Sequence, residues 1–96
     1  MDVGQAIKNL RMKQGMSQAA LAEKCGMSTN GVNLLETGKR FPRKSTVEKL
    51  CQVFGIPQSY LMLATIEESD IPEEKRVLYR VLVEPLRDEL LEAGEL

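Results

Sequence analysis

The 96-residue length suits one compact domain with at most a short appendage. Its composition is 43% hydrophobic and 28% charged, with two Phe, two Tyr and no Trp. That predicts an aliphatic core, and no apolar run approaches the ~20 residues needed to cross a bilayer. The net charge of −1 conceals an asymmetry: residues 1–50 hold nine Lys or Arg and four Asp or Glu, while residues 51–96 hold four and ten. A basic first half and an acidic second half suit a polyanion-binding module followed by a segment with another task.

The chain has no histidine, which excludes zinc sites with imidazole ligands and Ser–His or Cys–His nucleophilic sites. Cys25 and Cys51 cannot alone complete a four-ligand zinc site; they are expected to be reduced and buried rather than bridged. No metal, cofactor or small-molecule ligand is expected. The start MDVGQAIKNL lacks the basic-then-apolar pattern of a secretion signal, so the expected location is cytoplasmic, without a membrane.

Strand signals are weak and helical punctuation is frequent. Asp2 is placed to cap a first helix over about 3–14, with Val3, Ile7 and Leu10 on one face and Gly15 as its stop. Ser17 is placed to cap a second over 18–25, with Ala20, Leu21 and Cys25 inward and Gly26 as the stop. Ser28 follows two residues later and predicts a third over 29–36, with Val32 and Leu35 inward and Gly38 closing it. After the basic loop Lys39-Arg40-Phe41-Pro42-Arg43-Lys44, Ser45-Thr46-Val47-Glu48 matches a capping box. It predicts a fourth helix over 46–54 that buries Val47, Leu50, Cys51 and Phe54. A fifth short helix is expected to start at Pro57 and bury Tyr60, Leu61 and Leu63.

Residues 65–70 read as a linker. Asp70-Ile71-Pro72-Glu73 resembles another capping box, and the stretch from 71 to about 93 favours helix. Pro85 interrupts it and predicts a kink or two shorter helices. The division expected is therefore 1–64 for the domain, 65–70 for the linker and 71–96 for a helical extension.

Two helices joined by the short turn Gly26-Met27-Ser28 cross at a wide angle and can project the second from the surface. A helix so placed fits the major groove. Residues 7–56 resemble the phage-repressor and Cro type of helix-turn-helix domain. The resemblance rests on Ser17-Gln18, Leu21-Ala22, the Gly26-Met27-Ser28 turn, Val32, Leu35, Glu36-Thr37-Gly38-Lys39-Arg40 and Pro42. It covers about half the chain, and roughly two-thirds with the fifth helix. It implies an all-α fold: a five-helix lambda-repressor-like DNA-binding domain with a C-terminal helical extension.

The resemblance also implies roles. Thr29, Asn30, Asn33 and Leu34 become candidate base readers, because Asn pairs with adenine N6 and N7 and leucine can touch thymine methyls. Gln18, Lys39, Arg40, Arg43 and Lys44 become candidate phosphate contacts, which hold register without reading sequence. Arg11 and Glu36 are expected to form an ion pair joining the first helix to the end of the third. Two departures stand out. Gly31 lies within the third helix, where it either permits close approach to DNA or weakens the reader, and Leu34 replaces a polar or basic residue.

The implied function is sequence-specific transcriptional regulation, most simply repression, on double-stranded DNA. The competing reading is a protein-interaction module on the same fold, such as an antitoxin subunit; an enzyme is not supported by any catalytic constellation. Val77, Leu78, Val81, Leu82, Leu86 and Leu90 form an apolar stripe. It is expected to pack against a second copy as a homodimer; the opposing expectation is that it folds back onto its own domain.

Overall fold

Asp2, Ser17 and Ser28 each cap a helix by accepting a bond from the backbone N–H three residues on, at 2.9, 3.0 and 2.9 Å. In this computed structural model, which describes residues 2–93 and the side chains of 2–89, those caps open α1 (Val3–Lys13), α2 (Gln18–Cys25) and α3 (Thr29–Glu36). Gly26 ends α2 at φ 67°, a left-handed backbone that needs no Cβ. Among the described residues there is no strand, and the fold is all-α.

α4 (Lys44–Phe54) departs from the expected capping box. Arg43, not Ser45, is its N-cap, and no side chain caps it. The Val47 N–H donates to the Arg43 carbonyl at 2.9 Å, so the helical ladder starts before Ser45. The preceding Pro42 is buried; packing of the chain there sets the start, and Ser45 falls inside the first turn. α5 spans Gln58–Thr65, and Pro57 is its extended N-cap rather than its first helical residue.

The core lies among α1 to α5. Ile7, Leu10, Leu21, Val32, Leu35, Leu50, Cys51, Phe54 and Leu61 are buried, as are Ala6, Ala22 and Ile56, which the helical spacing had not singled out. Leu63 is only half-buried. Cys51 is buried and Cys25 half-buried, both as free thiols, and burial pushes both thiols up from their ordinary pKa. Gln14 ties the end of α1 to the end of α4 by donating to the Phe54 carbonyl at 2.8 Å.

The extension begins where Ile66 leaves α5. The capping box expected at Asp70 and Glu73 does not form. Instead Glu67 and Asp70 cap each other's ends of a 3₁₀ turn over Glu68–Asp70, with the Glu67 N–H donating to Asp70 Oδ2 at 2.9 Å. A second 3₁₀ turn, Glu73–Lys75, leads to α6 (Arg76–Leu78), a π-helical segment (Tyr79–Val83) and α7 (Glu84–Ala93). The π segment stands just before Pro85. Proline has no N–H for the Val81 carbonyl and its ring crowds that carbonyl. The wider turn, with the Glu84 N–H reaching back to Tyr79, relieves the conflict. The interruption expected at Pro85 is thus a π turn within a helical run.

Tyr79 anchors this run. It is buried, and its hydroxyl donates to the Ile66 carbonyl at 3.2 Å. Arg87, two turns later, donates from Nη1 to the same carbonyl at 2.8 Å and to the Tyr79 oxygen at 2.9 Å. The opposite face carries Val77, Leu78, Val81, Leu82 and Leu86, each more than half exposed. These five do not fold back onto their own domain; the side chain of Leu90 lies outside the described residues.

Gly4 shows how closely α1 meets α3. A Cβ there would lie 2.5 Å from the Leu35 carbonyl oxygen and 2.7 Å from that of Glu36. Both are backbone atoms of the last turn of α3 and cannot swing aside. Gly4→Ala should therefore destabilise the domain by about 1–3 kcal/mol, as over-packing does. Urea denaturation would check this, and an unchanged midpoint would contradict the close approach.

Candidate nucleic-acid interface

The outward side of α3 is set by its inward side. Gly31, Val32, Leu35 and Glu36 are buried, which leaves Thr29, Asn30 and Asn33 exposed and Leu34 half-buried. Thr29 and Asn33 stand one turn apart at four-residue spacing, and Asn30 and Asn33 at three, so the three polar side chains share one face. Gly31 is not on that face. A Cβ on it would meet the Met27 methyl at 3.0 Å and Ser28 Oγ at 3.1 Å.

The end of α3 is clamped to α1. Arg11 Nε lies 2.6 Å from Glu36 Oε2 and Arg11 Nη2 lies 3.0 Å from Oε1, a two-pronged pair. Arg11 Nη1 donates to the Met16 carbonyl at 2.8 Å, so the same guanidinium also holds the loop between α1 and α2. The Glu36 side chain is 2% exposed and that of Arg11 11%. The hydrogen bonds that Arg11 donates to Glu36 raise the Arg11 pKa further, against the opposing effect of burial.

Gln18 opens α2 beside this pair. Its Nε2 donates to Glu36 Oε1 at 3.1 Å and, more weakly, to Asn33 Oδ1 at 3.4 Å. It is thus bound to the α3 face at its side chain.

The four cations follow α3 in two groups. The N–H groups of Lys39 and Arg40 both donate to the Leu34 carbonyl, at 3.0 and 3.1 Å, so these residues wrap the end of α3. The Arg40 guanidinium lies back along the helix, with Nη1 3.8 Å from the position of a Gly31 Cβ. Arg43 and Lys44 open α4. Arg40 and Arg43 both line a cleft of about 500 Å³, together with Met27, Leu35, Pro42 and Ser45. All four cations are exposed.

No group of His, Cys, Asp or Glu that could hold a metal ion occurs among the described residues, and no described helix is long and apolar enough to cross a membrane. Sequence reasoning missed Gly4, Gln14, Tyr79 and Arg87. Only the Tyr79–Arg87 spacing of two helical turns carried any signal.

Residues 2–61 match the family described as a helix-turn-helix domain. The chain is 30% identical over 91 residues to the HTH-type transcriptional regulator PuuR of Escherichia coli (strain K12), covering 95% of this chain and 44% of PuuR. It is 30% identical over 70 residues to the SPbeta prophage-derived uncharacterized HTH-type transcriptional regulator YonR of Bacillus subtilis (strain 168), covering 73% of this chain and 65% of YonR. It is 30% identical over 76 residues to the cryptic phage CTXphi transcriptional repressor RstR of Vibrio cholerae, covering 79% of this chain and 67% of RstR. The chain spans less than half the length of PuuR and about two thirds of the two phage-derived regulators.

The clamp makes a direct prediction. Arg11→Met should leave the Glu36 carboxylate buried without its cation and destabilise the domain by about 3–5 kcal/mol. Adding Glu36→Leu should recover much of that loss in urea denaturation. Full additivity of the two losses would mean that the groups do not act as a pair.

Proposed function

The chain belongs to the helix-turn-helix domain family, and from that premise we propose that it is a sequence-specific DNA-binding transcriptional regulator, acting as a repressor. It binds a symmetric operator as a homodimer, with α3 in the major groove. The observation that carries this reading is the exposed row Thr29, Asn30 and Asn33 on a helix whose end is held by the Arg11–Glu36 clamp, followed by four exposed cations between the end of α3 and the start of α4. Amide side chains supply donor and acceptor groups to base edges. Leu34, half-buried at the border, can touch a thymine methyl. Lys39, Arg40, Arg43 and Lys44 grip the phosphates and set register. Gln18 lies at the helix start where backbone N–H groups favour an anion. Repression follows from occluding a promoter, as the name of RstR also suits. Such a regulator works in the cytoplasm.

The homodimer rests on the extension. Five apolar side chains exposed on one short helical run form a face that water disfavours. The run is anchored through Tyr79 and Arg87 to the end of α5, not to α3. Pairing doubles the DNA contact and lets two α3 helices meet half-sites about 34–36 Å apart.

Two measurements test these claims. DNA affinity should fall steeply with salt, each neutralised phosphate adding about 0.9 to the log–log slope. Arg43→Ala with Lys44→Ala should lower that slope by about 2 per protomer and weaken all sequences alike; salt-independent binding would sink the phosphate assignment. Sedimentation without DNA should show a dimer at tens of micromolar, and Leu82→Glu should convert it to a monomer of unchanged helix content. A strict monomer in the unmodified chain would refute the homodimer.

A further inference from the structure

Glu36 bonds to Arg11 through both carboxylate oxygens, and Oε1 also receives Gln18 Nε2. A carboxylate in an ion pair only accepts hydrogen bonds. The Gln18 amide therefore has one permitted orientation: its nitrogen faces Glu36, because the flipped amide would set oxygen against oxygen. The remaining Nε2 hydrogen reaches Asn33 Oδ1 at 3.4 Å. Asn33 is exposed, and a free asparagine can turn its amide to offer either a donor or an acceptor. Here its oxygen is turned to Gln18. Among the described residues no bond engages Asn33 Nδ2.

We infer that the series Arg11–Glu36–Gln18–Asn33 fixes the hydrogen-bond polarity of the reading face, so that Asn33 meets DNA as a donor. Gln18 is thus a positioning residue for specificity, and its side-chain nitrogen is not the group that meets a phosphate. The inference rests on the proposed DNA binding and goes one step beyond it. In the major groove adenine offers N7, guanine N7 and O6, and thymine O4 as acceptors, whereas cytosine offers only its N4 amino donor. A polarised Asn33 therefore admits adenine, guanine or thymine at the base it faces and rejects cytosine. A freely turning Asn33 would accept cytosine as well, through Oδ1.

Selection of bound sequences from random DNA with the unmodified full chain, followed by affinities for all four bases at each position, tests this. Asn33→Ser locates the base pair, as the position whose preference it flattens. There the unmodified chain should disfavour cytosine by about tenfold or more, the usual effect of one mismatch. Gln18→Met removes the donor without adding charge; it should bring cytosine to within about threefold of the other bases at that position alone. Gln18→Lys keeps an obligate donor and should retain the rejection.

Asn33→Asp changes an exposed side chain, so folding is not at stake. It should keep the Gln18 bond, present only acceptors and invert the preference towards cytosine. An unchanged profile in Gln18→Met, or no gain for cytosine in Asn33→Asp, would overturn the inference while leaving DNA binding intact. Failure of the unmodified chain to enrich any sequence would instead overturn the proposed function, and the inference with it.

Discussion

Glu36 stands in the last turn of α3 with its carboxylate out of water, a placement tolerable only because a cation meets it with matched geometry. Arg11 does so with two nitrogens and gives the third to the Met16 carbonyl. One guanidinium therefore locates three things at once: the end of α3, the loop entering α2, and the register of α1 against both. Gly4 permits the same contact one helix end away, where any larger residue would strike the α3 carbonyls. A pair of this kind is weak evidence for net stability, since an apolar pair of similar volume can be as stable. Its value here is directional. Leucines in contact would hold α3 near α1, but they would not set its rotation or orient the amide of Gln18.

The helices that were legible in the sequence are those whose ends are settled locally. Asp2, Ser17 and Ser28 cap as their spacing predicts, because the partner N–H is three residues away whatever the rest of the chain does. The boxes at Ser45 and Asp70 carry the same local signal and do not form. At Ser45 the start is decided by the burial of Pro42, a tertiary event. At Asp70 the aspartate is taken by Glu67 upstream before Glu73 can compete. Helical spacing found most of the core but passed over Ala6, Ala22 and Ile56, because small residues and loop-end residues carry little periodic signal. At the site, the exposed polar face and the flanking cations were readable. The burial of Gly31 was not, since a glycine has no side chain whose direction a pattern could reveal.

Tyr79 marks a different limit. It is the buried anchor of the extension, yet its partner is a backbone carbonyl, that of Ile66, which leaves no trace in the identity of residue 66. Of the apolar residues around it, five face away from their own domain, so fold-back, the alternative to packing on a second copy, is not what they do. The structure thus separates two tasks that a hydropathy stripe blends. Tyr79 and Arg87 fasten the run to its own domain, and the leucine and valine face is left exposed. The π turn before Pro85 belongs to the same division. Widening the helix by one residue changes which side chains share a face on either side of it, and Leu86 after the π segment is exposed as Val77 before it is.

Charge and polarity act on different scales in this molecule. The cations at 39, 40, 43 and 44 lie outside the clamp and act at long range on any polyanion, without regard to sequence. Thr29, Asn30 and Asn33 are uncharged, so in the proposed role they act only at contact, where their worth depends on whether a donor or an acceptor faces outward. In the proposed function an uncharged reading face keeps those contributions separate: strengthening the grip on phosphates need not alter preference among bases, and turning one amide need not alter the grip. The buried pair joins the two without taking part in either. It places the end of α3 from which Lys39 and Arg40 hang, and through Gln18 it orients the amide beside them. Disturbing it would therefore affect both scales at once, whereas a change at Asn33 or at Lys44 would affect only one.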